Sequence, residues 1–101
     1  MTIRYLADAR QEIDEAAAYY EAISPRLGQR FRLSVRDGVR QLSRHPLWWP
    51  TVGEQARRYL LIGWPYSVYY VVDGEHLVVV AVGHQHRQPE YWQNRLRKQA
   101  Q

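Results

Sequence analysis

The alternation of polar and apolar residues predicts a short strand followed by two helices. Thr2 to Leu6 alternates between polar and apolar side chains, as a half-buried strand does. From Asp8, a candidate N-cap, to about Ile23, apolar residues recur every three or four positions. The same spacing resumes after Ser24-Pro25 and continues to about Arg44. Because so few residues separate them, the two helices should form an antiparallel hairpin.

Three stretches rich in β-branched and aromatic residues follow and predict three more strands. They run from Arg57 to Ile62, from Tyr66 to Val72 and from Glu75 to Val82, with Asp73-Gly74 as a hairpin turn. The last segment, from Pro89 to about Gln99, is typical of a short helix or a mobile tail. The prediction is therefore a single domain over residues 1–101 with an α+β fold of order β-α-α-β-β-β. The helical hairpin should pack on one face of a small, mainly antiparallel sheet, and the tail should be helical.

Both faces of the two central strands are apolar. Side chains alternate along a strand, so Leu77, Val79 and Ala81 should point to one face, and Val78, Val80 and Val82 to the other. One helical hairpin covers only one face of such a sheet. The second face therefore needs the C-terminal segment, a second copy of the chain or a different protein, and the pattern leaves these three open.

Composition narrows the possible functions. The 101 residues carry a net charge of +4, with thirteen arginines and a single lysine, Lys98. The first helix is acidic and residues 26–58 are strongly basic, which favours either an anionic partner or a solvated helix face. The absence of cysteine excludes disulfides, thiolate nucleophiles and cysteine zinc sites. With no signal peptide or membrane-spanning run in the sequence, we expect a cytoplasmic protein without a membrane partner.

The densest polar cluster follows the last predicted strand, from His84 to Trp92. RNA cleavage without a metal needs a base, an acid and a cation for the phosphate. A candidate for the base is Glu54 or His84, a candidate for the acid is Tyr91, and a candidate for the cation is Arg58.

Each candidate also has a structural interpretation. Tyr91-Trp92 is typical of an aromatic anchor that packs the tail on the body of the protein. Arg58 is typical of a surface arginine on an edge strand, where its charge prevents unwanted strand pairing. His84 and His86 lack an evident third ligand, so we expect neither a metal nor a cofactor. Trp48-Trp49, between two prolines, fits core packing under a loop or a stacking platform for nucleic acid.

Several motifs in order resemble the RelE/ParE superfamily of toxins from type II toxin–antitoxin pairs. They are Tyr19-Tyr20, Gly28-Gln29-Arg30-Phe31, Arg58-Tyr59-Leu60, Trp64-Pro65-Tyr66-Ser67-Val68-Tyr69-Tyr70, Val80-Ala81-Val82-Gly83-His84 and Arg87-Gln88-Pro89-Glu90-Tyr91-Trp92. The ending resembles the plasmid-stabilisation members. The resemblance implies the β-α-α-β-β-β fold and an antitoxin that covers the apolar sheet face, with the arginines of the second helix toward it.

The resemblance implies one of two activities. RelE-like members cut mRNA, whereas ParE-like members inhibit DNA gyrase. Because the lysines of the RelE pattern are missing, we expect a ParE-like gyrase inhibitor bound by its antitoxin in a hetero-oligomer. The alternatives are an mRNA endonuclease acting at the ribosome or on free mRNA, and a non-toxic member that only binds a partner.

The resemblance also implies particular site residues. Those of a nuclease would be Arg58, His84, Arg87 and Tyr91, with Glu54 possible. Contacts to antitoxin or target would be Arg57, Tyr69, Val71, His86 and Trp92.

Overall fold

Two helices lie against one face of a five-stranded sheet in the computed structural model, which describes residues 1–88 and 90–100, with side chains through Leu96. The elements are β1 (Thr2–Tyr5), α1 (Ala7–Ile23), α2 (Pro25–Arg44), β2 (Thr51–Val52), β3 (Ala56–Leu60), β4 (Tyr66–Asp73), β5 (His76–His84) and α3 (Gln93–Ala100). The strands lie in the order β1-β5-β4-β3-β2, and only the β1–β5 pair is parallel.

This architecture confirms the predicted α+β fold, the helical hairpin and the helical tail. β2 was not predicted, because two residues are too few to show an alternating pattern. Pro89, where the tail was predicted to begin, lies outside the described residues. In the part of the chain that is described, no helix is both long and apolar enough to cross a membrane.

The two helices of the hairpin approach each other closely. Ala16 and Ala17 of α1 are buried, and a Cβ at Gly28 of α2 would lie 2.8 Å from the Ala17 carbonyl oxygen. Glycine at this position therefore permits the contact. The prediction that Asp8 is the N-cap of α1 is wrong, since Leu6 takes that position and Asp8 lies in the first turn. Its carboxylate lies 3.5 Å from the Arg95 guanidinium, so it faces the tail instead.

The main core lies between the hairpin and the sheet. Apolar residues at helical spacing on α2 meet the alternate residues of β4 and β5 that point to the same side. The buried members are Phe31, Val35, Val39 and Leu42 from α2, with Val68, Tyr70, Leu77, Val79 and Val82 from the sheet.

A β-bulge in β5 changes which side chains face the helices. Tyr69 pairs with Ala81 and Tyr70 with Val79, so Val80 is an additional residue with no partner on β4. The prediction that Ala81 shares a face with Val79 is therefore wrong. Val80 and Ala81 both point away from the hairpin, and Val82 returns to the main core.

Tyr70 links the core to the segment that follows α2. Its hydroxyl donates a 2.6 Å hydrogen bond to the Pro46 carbonyl, and burial raises the pKa of Tyr70 to about 12 although Arg57 acts in the opposite direction. A tyrosine of the unfolded chain ionises near pH 10, so the folded state binds more protons between about pH 10 and 12. Stability should consequently fall as the pH rises through this window.

We expect Tyr70→Phe to make the decline of stability with pH shallower, by a slope that corresponds to at most one proton. At pH 7 the variant should lower the free energy of unfolding by about 1 kcal/mol, because the hydrogen bond to Pro46 is lost. Urea denaturation between pH 7 and 11 measures both effects. Tyr19→Phe, which removes a tyrosine that is 63% exposed, is the control. If the free energy of unfolding of Tyr70→Phe falls with pH in parallel with that of the wild type above pH 10, the raised pKa of Tyr70 does not contribute to the alkaline decline.

Candidate functional site

The C-terminal segment covers part of the second face of the sheet. The Trp92 ring is 2% exposed and packs on Tyr69 with 5.3 Å between ring centroids. Ala56, Val80 and Ala81 complete this smaller core. Of the three occupants that the sequence left open, the tail therefore fills this position. Tyr69 and Trp92, predicted as partner contacts, bury each other within the chain.

A cluster of charged side chains joins the tail to α1. We call Asp8, Glu12, Arg87, Tyr91 and Arg95 the Glu12 cluster. The Arg95 guanidinium donates from Nη1 to Glu12 Oε1 at 2.7 Å and from Nη2 to Oε2 at 3.2 Å. Arg87 Nη1 donates to the same Oε2 at 3.4 Å. The Glu12 and Arg95 side chains are only 11% and 16% exposed, so the ion pair lies largely away from water.

This ion pair also satisfies the backbone at the open edge of β5. β1 pairs with β5 only as far as Val79, so the residues beyond it lack a neighbouring strand on that side. The Val82 N–H donates to Glu12 Oε1 at 3.1 Å, and the Val80 carbonyl accepts from Arg95 Nη1 at 3.1 Å. Two side chains thus replace the hydrogen bonds that another strand would supply.

Tyr91 is enclosed by the same cluster. Its ring lies 3.7 Å from the Arg87 guanidinium carbon and covers Gly83, where any Cβ would overlap the tyrosine hydroxyl. The hydroxyl oxygen is buried and has no hydrogen-bond partner among the described residues. Burial, and next the neighbouring Glu12 carboxylate, raise the pKa of Tyr91 above its usual range. Tyr91 therefore stays protonated well above neutral pH.

His84 and His86 form a separate, exposed pair at the end of β5. Their rings stack with 5.1 Å between centroids, and the His86 backbone N–H donates to His84 Nδ1 at 3.2 Å. In neutral His84 the proton is consequently on Nε2. In the described part of the chain, no group of three or more histidine, cysteine or acidic side chains is placed to hold a metal.

The remaining candidates lie on the β3 side of the sheet. Arg57 turns inward, and its Nη1 donates to the carbonyls of Leu47 at 3.2 Å and Trp49 at 2.7 Å. Arg58 is exposed on the outer face, where it pairs across the strands with Tyr69. Within the described residues, no hydrogen bond or ion pair joins Arg58 to the His84–His86 pair or to the Glu12 cluster.

Glu54 and Val71 lie near the smaller core. Glu54 is exposed in the turn between β2 and β3, at a groove of about 460 Å³ that Trp92 and Leu96 also line. Val71 is half-buried beside the same core. The structure thus brings the Arg87 and Tyr91 side chains into contact. His84 lies nearby, since its carbonyl accepts from the Arg87 backbone N–H at 2.9 Å, but no side-chain hydrogen bond or ion pair joins Arg58, His84 or Glu54 to Arg87 or Tyr91 within the described residues.

Sequence reasoning did not find Glu12 and Arg95, the two residues that organise the site. Glu12 is one of several acids on α1, and 83 positions separate it from Arg95. The one feature of the sequence that indicates a partly buried position for Glu12 is that it precedes Ile13, a residue of the apolar stripe of α1.

Two kinds of comparison with known proteins agree with this fold. The family model of the ParE toxin of type II toxin–antitoxin system, parDE, matches residues 3–89. A solved structure described as the chromosomal ParDE TA system from P. aeruginosa has a TM-score of 0.62 and 18% sequence identity, and the match covers 83% of this chain and 95% of that chain.

The match to the family model and the match to the solved structure support different statements. No curated protein sequence matches this chain at a significant level. At 18% identity, the structural similarity establishes the fold alone. The family model covers most of the chain, from β1 through the end of β5. The chain therefore belongs to the ParE toxin family of type II toxin–antitoxin systems.

Proposed function

We propose that this chain is the toxin of a type II toxin–antitoxin pair, that a cognate antitoxin neutralises it, and that it arrests growth by inhibiting DNA gyrase. Membership of the ParE toxin family supports the toxin assignment. The similar fold of a protein from a ParDE system supports a pairing with an antitoxin.

The observation that carries the choice of gyrase over mRNA is the state of Tyr91. A general acid works best when its pKa lies near the working pH. Tyr91 has a raised pKa and a buried hydroxyl, and its ring is stacked under the Arg87 guanidinium. Two of the four nuclease candidates are thus engaged in holding the tail. This arrangement favours a toxin that acts by binding.

The surface offers positions for a protein partner. Leu60 and Ile62, at the end of β3 and just after it, are large apolar residues that are mostly exposed. Burial of these two side chains against a partner would remove apolar surface from water and so stabilise a complex. His86 is exposed and Val71 half-buried, so both remain proposed contacts. Arg57, Tyr69 and Trp92 are engaged inside the chain, and a partner would reach them only after displacing a neighbour.

A supercoiling assay tests the proposal. The purified full chain is titrated into gyrase with relaxed plasmid and ATP. We expect supercoiling to be inhibited, and the product of the neighbouring reading frame to restore it. In cells, induction should change plasmid topology while mRNA stays intact on a gel.

His84→Ala, combined with Glu54→Gln, separates the two targets, because together they remove both candidates for the base of a nuclease. Under the gyrase proposal, the double variant should inhibit supercoiling as the wild type does. Normal supercoiling at large excess of toxin, or mRNA cleavage that the double variant abolishes, would show that the proposal is wrong.

A further inference from the structure

Arginines are the most frequent residues on the solvent side of α2. Six of them, which we call the arginine face, are all exposed: Arg26, Arg30, Arg32, Arg36, Arg40 and Arg44. At 100° per residue, five of them lie about 120–160° from the mean direction of the buried Phe31, Val35 and Leu42, and Arg32 lies about 80° from it, at the edge of the buried stripe. The last four follow at four-residue spacing, which separates successive side chains by about 6 Å along the helix axis.

The chain itself neutralises little of this charge. Arg32 pairs with Asp14 at 2.7 Å and Arg36 with Asp37 at 3.3 Å, and all four side chains are about half exposed or more. Such surface pairs contribute little free energy and exchange readily with other anions. For the other four arginines, no ion pair occurs within the described residues. The arginine face is thus available to an external polyanion.

An exposed aromatic platform stands at the C-terminal end of the arginine face. The His45 and Trp48 rings are stacked with 3.7 Å between centroids and 7° between planes, and Trp48 is 73% exposed. The segment is held in place, because Arg57 donates to the carbonyls of Leu47 and Trp49, and Tyr70 to that of Pro46. Trp49 packs inward against Tyr59, which leaves Trp48 pointing out.

We propose that the arginine face and the His45–Trp48 platform together bind a single-stranded nucleic acid, with phosphates on the guanidinium groups and an unpaired base on the Trp48 ring. Arginine binds phosphate oxygens in pairs, and exposed aromatic rings stack unpaired bases of any sequence. A rigid platform loses little entropy when a base stacks on it. The inference does not depend on gyrase being the target.

The composition of this surface favours nucleic acid over an acidic protein segment. Protein interfaces combine arginine with aromatic and other apolar residues at their centre, whereas nucleic-acid interfaces are polar and strongly positive throughout. The arginine face includes one exposed apolar residue, Leu33, among six arginines. Beyond Leu33, an acidic peptide would find exposed apolar surface at Leu47 and Trp48, after the C-terminal end of α2, and little along the arginine face itself.

Fluorescence anisotropy of a labelled 20-mer of thymidylate, titrated with the full chain, tests the proposal. We expect binding that weakens with salt with a log–log slope of about −3, as four phosphate contacts would give. Arg40→Gln/Arg44→Gln should weaken binding about tenfold in 50 mM salt and reduce the slope by about 1.4. Trp48→Ala should weaken binding about tenfold through the loss of base stacking.

A charge-restored variant separates the arginine face from net charge. Asp73→Asn/Glu75→Gln, at the exposed β4–β5 turn, is added to Arg40→Gln/Arg44→Gln and returns the net charge to that of the wild type. We expect this variant to bind as weakly as the double variant, while circular dichroism shows a native fold for all of them. The uridylate 20-mer tells RNA from DNA, and binding of either strand supports the proposal.

Five outcomes would overturn the proposal, of which the first four come from the binding titrations. The first is that anisotropy does not change up to about 100 μM protein at 50 mM salt, where even non-specific complexes form. The second is that Arg40→Gln/Arg44→Gln binds as tightly as the wild type, and the third is that the charge-restored variant regains wild-type binding. The fourth is that the chain binds the matched duplex more tightly than the single strand. Displacement of the thymidylate by polyglutamate at a lower concentration than by unlabelled thymidylate would identify an acidic protein as the occupant and likewise overturn it.

Discussion

Trp92→Ala is expected to lower the free energy of unfolding by about 3–5 kcal/mol, the range for removing a large aromatic side chain from a core. Trp92 is 2% exposed and is the largest side chain in the smaller core. Its loss leaves Tyr69, Val80 and Ala81 without the ring that covers them. Urea denaturation followed by circular dichroism measures the change.

Two further tryptophan variants make this prediction specific. Trp48→Ala removes an equally large ring that is 73% exposed, so it should change stability by less than about 0.5 kcal/mol. Trp92→Phe should cost less than Trp92→Ala, since the indole Nε1 is buried without a hydrogen-bond partner among the described residues. Equal stability of Trp92→Ala and Trp48→Ala would contradict the packing of the tail on the sheet.

Glu12→Gln is expected to cost about 3 kcal/mol, because the largely buried Arg95 guanidinium loses its buried counter-charge and keeps only the more exposed Asp8 carboxylate, 3.5 Å away. The Arg95 side chain is 16% exposed and donates two hydrogen bonds to the Glu12 carboxylate. For a chain of this size, a loss of about 3 kcal/mol corresponds to a melting temperature lower by about 12–24 °C. Thermal unfolding measures it, and hydrogen exchange should be faster at the Val82 amide, which donates to Glu12.

Glu15→Gln is the matched control for this variant. Glu15 is an exposed acid on the same helix, and its carboxylate accepts a 3.1 Å hydrogen bond from the Gln11 side chain. It should melt within a few degrees of the wild type. If Glu12→Gln has the same melting temperature as Glu15→Gln, or if the Val82 amide exchanges as slowly as in the wild type, the ion pair does not hold the tail to β5.

Local patterns were sufficient to predict most of the elements. Ser24-Pro25 marked the boundary between the helices, and α2 begins at Pro25. Asp73-Gly74 marked the β4–β5 turn, where Gly74 has a positive φ of 60°. Each of these signals depends on residues that are adjacent or one helical turn apart.

The bulge at Val80 could not be predicted in this way. A run of valines and an alanine is apolar at every position, so the sequence contains no break that marks an extra residue. The same run explains why both faces of β5 looked equivalent. Only the pairing with β4 determines which of these side chains face the helices.

The candidate site was predicted in part. Arg87, Tyr91 and the two histidines were identified as a cluster after the last strand, and Arg87 does contact Tyr91. Their engagement with α1 was missed because Glu12 is far away in the chain. The positions of Arg58 and Glu54 apart from this cluster depend on strand pairing, which composition does not reveal.

The sequence by itself determined the helical hairpin, the turns, the α+β class and the exposure of the arginines on α2. These features follow from side-chain spacing within one element, and the nearest neighbours along the chain are sufficient to set it. Only the tertiary structure decided that the tail covers the second sheet face and that Glu12 and Arg95 complete the open edge of β5. Contacts across 83 positions depend on how the elements pack, and no local pattern specifies that packing.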